Sequence, residues 1–256
     1  MTLTAELAAR ALAPADERAR DHLRALTLCN IAAACGDLGR TGELIARVTR
    51  DGGATEAARL SAMRLHARTQ DDFFPFGRVH VGATTLACAL ALADEARDRL
   101  LDCLAAGYDV MCRVSSAYSD IAQQRGMRPT GMFGPLGAAA TAAVALGLDA
   151  DGVANAIGLA AIMSAGTNQA WLSGTDEWLL ELGAAARSGV EAAQLTLAGA
   201  VASPHALEGA AGWARAYFDD DGERLGRAVE ADGSPLLDVA VKPYPVSGIA
   251  QVPTWL

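Results

Sequence analysis

One interruption in an otherwise helical sequence carries residue types suited to acid–base chemistry. Asp71 and Asp72 precede His80 in the stretch QDDFFPFGRVH, where Pro75 and Gly77 break the helical pattern. Imidazole titrates near neutral pH, so a histidine at this loop–helix junction suits the role of a general base or acid. The structural alternative is a histidine that caps the next helix and is satisfied by Asp72.

Two cations add to this set. Lys242 is the only lysine of the chain and ends the segment 236–242, LLDVAVK. Once desolvated, such a lysine can transfer protons or fix a carboxylate; otherwise it is an ordinary exposed lysine. Arg128 lies in a second interruption, RGMRPTGMFG, at residues 125–134. Its guanidinium can bind a substrate carboxylate through two hydrogen bonds but cannot exchange a proton at neutral pH, and a salt bridge to Asp71 or Asp72 is equally open.

Aromatic residues are concentrated in the interruptions. Aromatics make up only 5% of the chain, yet five of its nine Phe and Trp residues lie in two of these breaks. Two interpretations stay open: the rings fill the core beneath loops, or they line an apolar substrate pocket. These residues are Phe73, Phe74, Phe76, Trp171 and Trp178.

Composition excludes several classes of protein. The 256 residues are 52% hydrophobic, a fraction that excludes intrinsic disorder. The net charge of −9 disfavours binding to nucleic acid or anionic membranes. Five cysteines without a CxxC motif predict reduced thiols, and no His, Cys or Asp cluster has metal-ligand spacing. The N-terminus lacks the features of a signal peptide, so we expect a cytoplasmic protein. The uncharged runs 132–148 and 152–172 predict buried helices rather than membrane spans.

The pattern of elements predicts an all-α fold with one short β-strand. Helical spacing of apolar residues recurs along the chain, and only residues 236–242 alternate like a strand. We expect a helical domain at 1–235, followed by a strand and linker at 236–256. No other segment offers that strand a partner, so we expect it to pair with a sister chain, with another protein or with nothing.

Several motifs resemble the MmgE/PrpD family, which includes 2-methylcitrate dehydratase, cis-aconitate decarboxylase and iminodisuccinate epimerase. The resemblance implies a multihelical domain whose interruptions line a cleft, covered by a smaller α/β domain that follows KPYP. The sequence ends eleven residues after Pro245, so we expect the covering domain to be missing. The motifs, in order, are DDFFPFGRVHVGA (71–83), GYDV (107–110), RGMRPTGMFGPLGAAATAAVALGLD (125–149), LGAAARSGVEAAQL (182–195), LEGAAG (207–212) and KPYP (242–245).

The resemblance assigns site residues and also marks departures. Asp71, Asp72, His80 and Lys242 match family positions. Other family positions differ, and at two of them an aromatic residue replaces a polar or basic one. Phe73 stands for a threonine, Arg128 for a histidine, Trp178 for a basic residue and Glu181 for a histidine, while Ser247 is the polar residue after KPYP.

Together these observations predict a cofactor-free lyase or isomerase that transfers a proton next to a carbonyl or carboxylate. His80 is the expected base, Lys242 or water the acid, Arg128 the anchor and Asp72 the orienter of the histidine. Lost basic residues argue against citrate-like substrates and favour an isomerase, epimerase or cyclase of secondary metabolism, acting on a carboxylic acid with an apolar body. We expect a homodimer or hetero-oligomer; a non-catalytic subunit that completes a partner's site is the alternative. The remaining predicted substrate-binding residues are Asp71, Phe73, Phe74, Phe76, Thr130, Trp171, Trp178 and Ser247, whereas His22, His66 and His205 are expected at the surface or in packing.

Overall fold

Helices joined by short loops account for most of the chain in the computed structural model, which describes residues 1–251. Short 3-10 turns lie at Arg97–Arg99, Pro235–Asp238 and Gly248–Ala250. The helices are α1 (Leu3–Ala11), α2 (Glu17–Cys35), α3 (Gly39–Val48), α4 (Gly53–His66), α5 (Val81–Ala91), α6 (Ala93–Ala96), α7 (Leu100–Gln124), α8 (Pro129–Ala145), α9 (Ala150–Ala161), α10 (Gln169–Ser173), α11 (Glu177–Leu197), α12 (Trp213–Phe218) and α13 (Glu223–Glu230).

Helix α8 forms the centre of the core, and every one of its residues is buried. It packs against α7 and α11, with α5 and α9 as further neighbours. A helix that is apolar on all sides must lie inside the protein, and small residues let its neighbours come close. A Cβ added to Gly107 of α7 would lie only 1.9 Å from Oγ1 of Thr141 and 2.8 Å from the backbone oxygen of Gly137 in α8. The Ala- and Gly-rich sequence therefore sets the spacing of the core helices.

The helix boundaries follow local signals in the sequence. Asp149 caps α9 by accepting a hydrogen bond from the backbone N–H of Gly152 at 2.9 Å, as expected from the stop-and-restart pattern there. The two uncharged runs become α8 and the region of α9 and α10. Across residues 1–251, no helix combines the length and the apolar character that a membrane crossing requires.

The predicted β-strand at residues 236–242 is wrong. Pro235–Asp238 forms a 3-10 turn, and Ala240 makes only an isolated antiparallel bridge to Phe73. The side chains of Leu236, Val239 and Lys242 are buried, so burial recurs every third residue and not every second one as in a strand. The partner is also within the chain, contrary to the expectation of an external one. Elsewhere in the described residues only two further isolated bridges occur, so the fold is all-α.

Candidate active site

A single pair of backbone hydrogen bonds brings the distant Lys242 to the acidic pair. The N–H of Phe73 donates to the carbonyl of Ala240 at 2.9 Å, and the N–H of Ala240 donates to the carbonyl of Phe73 at 2.8 Å. In this antiparallel register, the residue two before Phe73 faces the residue two after Ala240. Asp71 therefore meets Lys242, whose Nζ donates to Oδ1 of Asp71 at 3.2 Å.

Asp71 is the centre of a buried cluster of ionisable groups. Its carboxylate is fully buried and lies 2.9 Å from Nδ1 of His66, 3.2 Å from Nδ1 of His80 and 3.2 Å from Nζ of Lys242. Burial alone would raise the pKa of Asp71, but His66, His80 and Lys242 outweigh it and hold that pKa well below its usual range. Asp71 is thus an ionised carboxylate surrounded by cationic and imidazole groups.

His80 stands at the start of α5 and lines a cavity. Its backbone N–H donates to Oγ1 of the buried Thr130 at 3.2 Å, which fixes the residue against α8. Nδ1 lies 3.2 Å from the carbonyl oxygen of Asp72 and 3.3 Å from Nζ of Lys242, while Nε2 has no hydrogen-bond partner among residues 1–251. Burial, reinforced by Lys242, lowers the pKa of His80 well below its usual range despite the opposing effect of Asp71, and this shift favours the neutral ring.

The carboxylate of Asp72 does not face His80, contrary to its predicted role as orienter. Its Oδ2 accepts hydrogen bonds from the hydroxyl of Tyr108 and from Nδ2 of Asn30, and Oδ1 accepts from the N–H of Gly82 at 2.9 Å. Burial raises the pKa of Asp72, and these three donors oppose that shift. Asp72 therefore connects α2, α5 and α7, and the carboxylate in contact with His80 is that of Asp71.

His66 is the site residue that the sequence analysis missed. It ends α4, is fully buried, and its Nε2 lies 3.5 Å from an Nη2 donor of Arg128. Since Arg128 can only donate, Nε2 accepts and Nδ1 carries the proton that is donated to Asp71. Burial lowers the pKa of His66. Its position five residues before Asp71, at the end of a predicted helix, was the only available signal.

Three of these side chains are also of the metal-ligand type. His66, Asp71 and His80 offer atoms that all lie within 4.8 Å of one another, a grouping that sequence spacing did not indicate. Lys242 and Arg128 contact members of this same set, at 3.2 Å from Asp71 and 3.5 Å from His66. The positive charges of Lys242 and Arg128 repel a metal ion from this cluster.

Arg128 occupies the start of α8 with only 6% of its surface exposed. Its guanidinium lies over the ring of Trp171 at 4.9 Å, and its Nε lies 3.9 Å from Oε2 of Glu181. Neither Nε of Arg128 nor Oε2 of Glu181 makes a hydrogen bond within the described residues. The salt bridge to Asp71 or Asp72, one of the two open alternatives for Arg128, is not present, and among residues 1–251 Glu181 is the carboxylate nearest to its Nε. Burial lowers the pKa of Arg128, and Glu181 and Asp71 oppose the shift.

The cavity beside His80 measures about 520 Å³. Among the predicted binding residues, those that line it are Phe73, Arg128, Trp171 and Ser247. Trp178 lies behind the wall, where it packs on His66 at 5.2 Å and on Trp171 at 5.9 Å. The remaining lining comes from residues that were not predicted: Arg78, Gln123, Gly126, Pro129, Asn168, Leu172 and Gly248.

The other two phenylalanines of the first interruption do not line this cavity. Phe74 is 1% exposed and belongs to the core, whereas Phe76 is 67% exposed and packs against Phe74. Of the remaining histidines, His22 contacts the carbonyl of Val239 and His205 lies at the surface beside Glu208. A larger groove of about 980 Å³ lies elsewhere, lined by the α9, α12 and connecting-loop residues, away from the ionisable cluster.

Comparison with known families identifies the family of this chain. The model of the MmgE/PrpD N-terminal domain matches residues 30–225, which include His66, the acidic pair, His80 and Arg128. No curated protein matches the sequence. The match covers well over half of the chain, together with an all-α fold and a cavity at the helix interruptions. The chain therefore belongs to the MmgE/PrpD family.

Proposed function

We propose that this protein is a lyase- or isomerase-type enzyme that needs no cofactor and transfers a proton next to a carbonyl or carboxylate group. The observation that carries the proposal is the position of His80 at the cavity wall, with Nδ1 turned to Asp71 and Nε2 without a protein partner in the described residues. The expected reaction is an isomerisation, epimerisation or cyclisation of a carboxylic acid with an apolar body.

His80 is the base in this proposal. Nδ1 faces two acceptors, the Asp71 carboxylate and the Asp72 carbonyl, and one donor, the Lys242 ammonium at 3.3 Å; the two acceptors favour the tautomer with the proton on that atom. The lone pair on Nε2 can then take a proton from a carbon next to the substrate carbonyl, which leaves an imidazolium and an enolate. Asp71 stabilises the imidazolium, and return of a proton from His80 or from water to carbon completes the exchange.

Arg128 and Lys242 have separate tasks. Arg128 lines the cavity, so its guanidinium can hold the carbonyl or carboxylate beside the reacting carbon and stabilise the developing enolate charge. Lys242 is 3% exposed and lies behind His80, so it keeps Asp71 ionised and exchanges protons only through the cluster. Water in the cavity then supplies the acid.

The aromatic wall supports the substrate class. Phe73 and Trp171 line the cavity, and Leu172 forms part of its rim with 83% of its surface exposed. Such a lining favours an aliphatic or aromatic substrate body over a tricarboxylate, whose charges would need several free cations.

The same exposed rim favours a second candidate function. Trp171 is 42% exposed and Leu172 83% exposed, so the cavity is open to solvent on the side of α10. A partner chain, in a homodimer or hetero-oligomer, would cover these side chains and exclude water. In this alternative the protein is a non-catalytic subunit that completes the site of its partner.

Solvent deuterium exchange separates the two candidates. The purified chain is incubated in D₂O with a panel of oxo acids and other carboxylic acids, and deuterium incorporation is followed by NMR. Exchange that falls about 10²–10⁴-fold in His80→Ala supports the enzyme, with His205→Ala as the control histidine at the surface. Equal rates in His80→Ala and the wild type would refute the catalytic role, and exchange that begins only after a second protein is added supports the subunit.

A further inference from the structure

Arg78 lines the cavity from a tight turn directly before His80. The turn is closed by Phe74 and Val79, whose backbone groups exchange hydrogen bonds at 2.9 Å and 3.4 Å. Ser119 anchors the turn to α7 by donating from Oγ to the carbonyl of Phe76 at 2.9 Å. Four residues thus span the turn, and the last of them presents an exposed guanidinium to the mouth of the cavity.

The backbone of Arg78 has φ of +53°, in the left-handed region that favours glycine. An arginine there is strained, and strained residues of this kind concentrate at functional sites because the rest of the fold has to hold them in place. Position 77 in the same turn has to be glycine, because an added Cβ would lie 1.9 Å from Oγ of Ser115 in α7. The close packing of Gly77 against α7 thereby fixes the direction in which Arg78 leaves the backbone.

Arg78 also differs from the other two cations of the site in its charge environment. Lys242 has Asp71 at 3.2 Å, and Arg128 has Glu181 at 3.9 Å. Arg78 has neither a carboxylate nor any hydrogen-bond partner for its side chain within residues 1–251. No Asp or Glu is among the residues that line the cavity. The cavity therefore presents one cation whose charge no carboxylate of residues 1–251 neutralises.

We propose that Arg78 is a specificity-determining residue that binds the carboxylate of the substrate at the cavity mouth. The proposal rests on the proposed function of the cavity as a substrate site. Arg128 already has a counter-charge in Glu181, so it suits a neutral carbonyl next to the reacting carbon. The substrate class that fits is a singly charged oxo acid, with its carboxylate on Arg78, its carbonyl near Arg128 and His80, and an apolar body along Phe73 and Trp171.

Calorimetric titration with a matched pair of ligands tests this assignment. The probes are 4-benzoylbutyrate, which carries a ketone, an aromatic body and one carboxylate, and its uncharged amide. The wild type should bind the acid at least tenfold more tightly than the amide, as expected for charge-assisted hydrogen bonds. Arg78→Met should weaken binding of the acid about tenfold or more and leave the amide unchanged, and Arg78→Lys should recover most of the affinity. Arg64→Met, at an exposed arginine outside the cavity, should have no effect.

Arg78→Gly supplies an independent readout. Glycine accepts the positive φ, so this variant should melt at the same temperature as the wild type or up to about 4 °C higher, while its affinity for the acid falls. Undiminished binding of the acid by Arg78→Met would overturn the proposal. A wild type that does not distinguish the acid from the amide would also overturn it, and this includes the case in which neither probe binds. If the binding results are as expected but no deuterium exchange occurs, the proposed reaction fails and the role of Arg78 stands.

Discussion

Replacement of Asp71 by asparagine tests whether one carboxylate holds the buried cluster together. Asp71→Asn keeps the shape of the side chain but removes the only carboxylate of residues 1–251 in contact with Lys242, which is 3% exposed. Removal of one partner from a buried ion pair costs about 3–5 kcal/mol, because the other charge stays buried without compensation. In a chain of this size the melting temperature should fall by about 6–20 °C.

Urea denaturation at pH 7, followed by circular dichroism, measures this cost, and a double-mutant cycle assigns it. Asp71→Asn combined with Lys242→Met removes both charges, so the double variant should be more stable than the sum of the single variants indicates, by about 2 kcal/mol. The matched control is Asp176→Asn. Asp176 binds Arg40 through two hydrogen bonds of 2.7 Å and 2.8 Å, but the arginine side chain is 77% exposed, so this variant should change the urea midpoint little.

The pH dependence of the same variant adds a check of sign. The pKa of Asp71 is lower in the folded chain than in the unfolded one, so its contribution to stability is present above about pH 4 and is lost as the pH falls further. Asp71→Asn should remove that part of the acid-induced loss. The reasoning is refuted if Asp71→Asn costs no more than Asp176→Asn at pH 7, or if the effects of Asp71→Asn and Lys242→Met simply add.

Two further predictions concern the imidazole pair and the helix core. Burial lowers the pKa of His66 and His80, so below about pH 6.5 the unfolded chain binds more protons than the folded chain, and the urea midpoint should fall as the pH is lowered from about 6.5 to about 5.5. An equal fall of the midpoint in the double variant His66→Asn/His80→Asn would contradict this. Gly107→Ala should lower the free energy of unfolding by about 1–3 kcal/mol in thermal and urea denaturation, because the new methyl group would lie 1.9 Å from Oγ1 of Thr141. The control is Gly226→Ala in α13, where the nearest atom lies at 3.6 Å, and this variant should be neutral or stabilising.

The sequence was sufficient for the helical class and for the residue types of the site. Alanine-rich helical periodicity, caps such as Asp149 and the Pro/Gly interruptions are local signals, and local hydrogen bonding decides where helices begin and end. His80, Lys242 and Arg128 could be named because they are rare or chemically distinctive residues at such interruptions. The strand prediction for 236–242 was wrong, because the apolar pattern of this segment fits alternation whereas its burial recurs at every third residue.

Tertiary structure decided which of these groups meet. Asp71 and Asp72 are identical neighbours in sequence, but in an extended segment successive side chains point to opposite sides. The bridge between Phe73 and Ala240 therefore turns Asp71 toward Lys242 and leaves Asp72 to Tyr108, across a separation of 171 residues between Asp71 and Lys242. No local pattern encodes that register, because it arises from the packing of the C-terminal segment on the helical core.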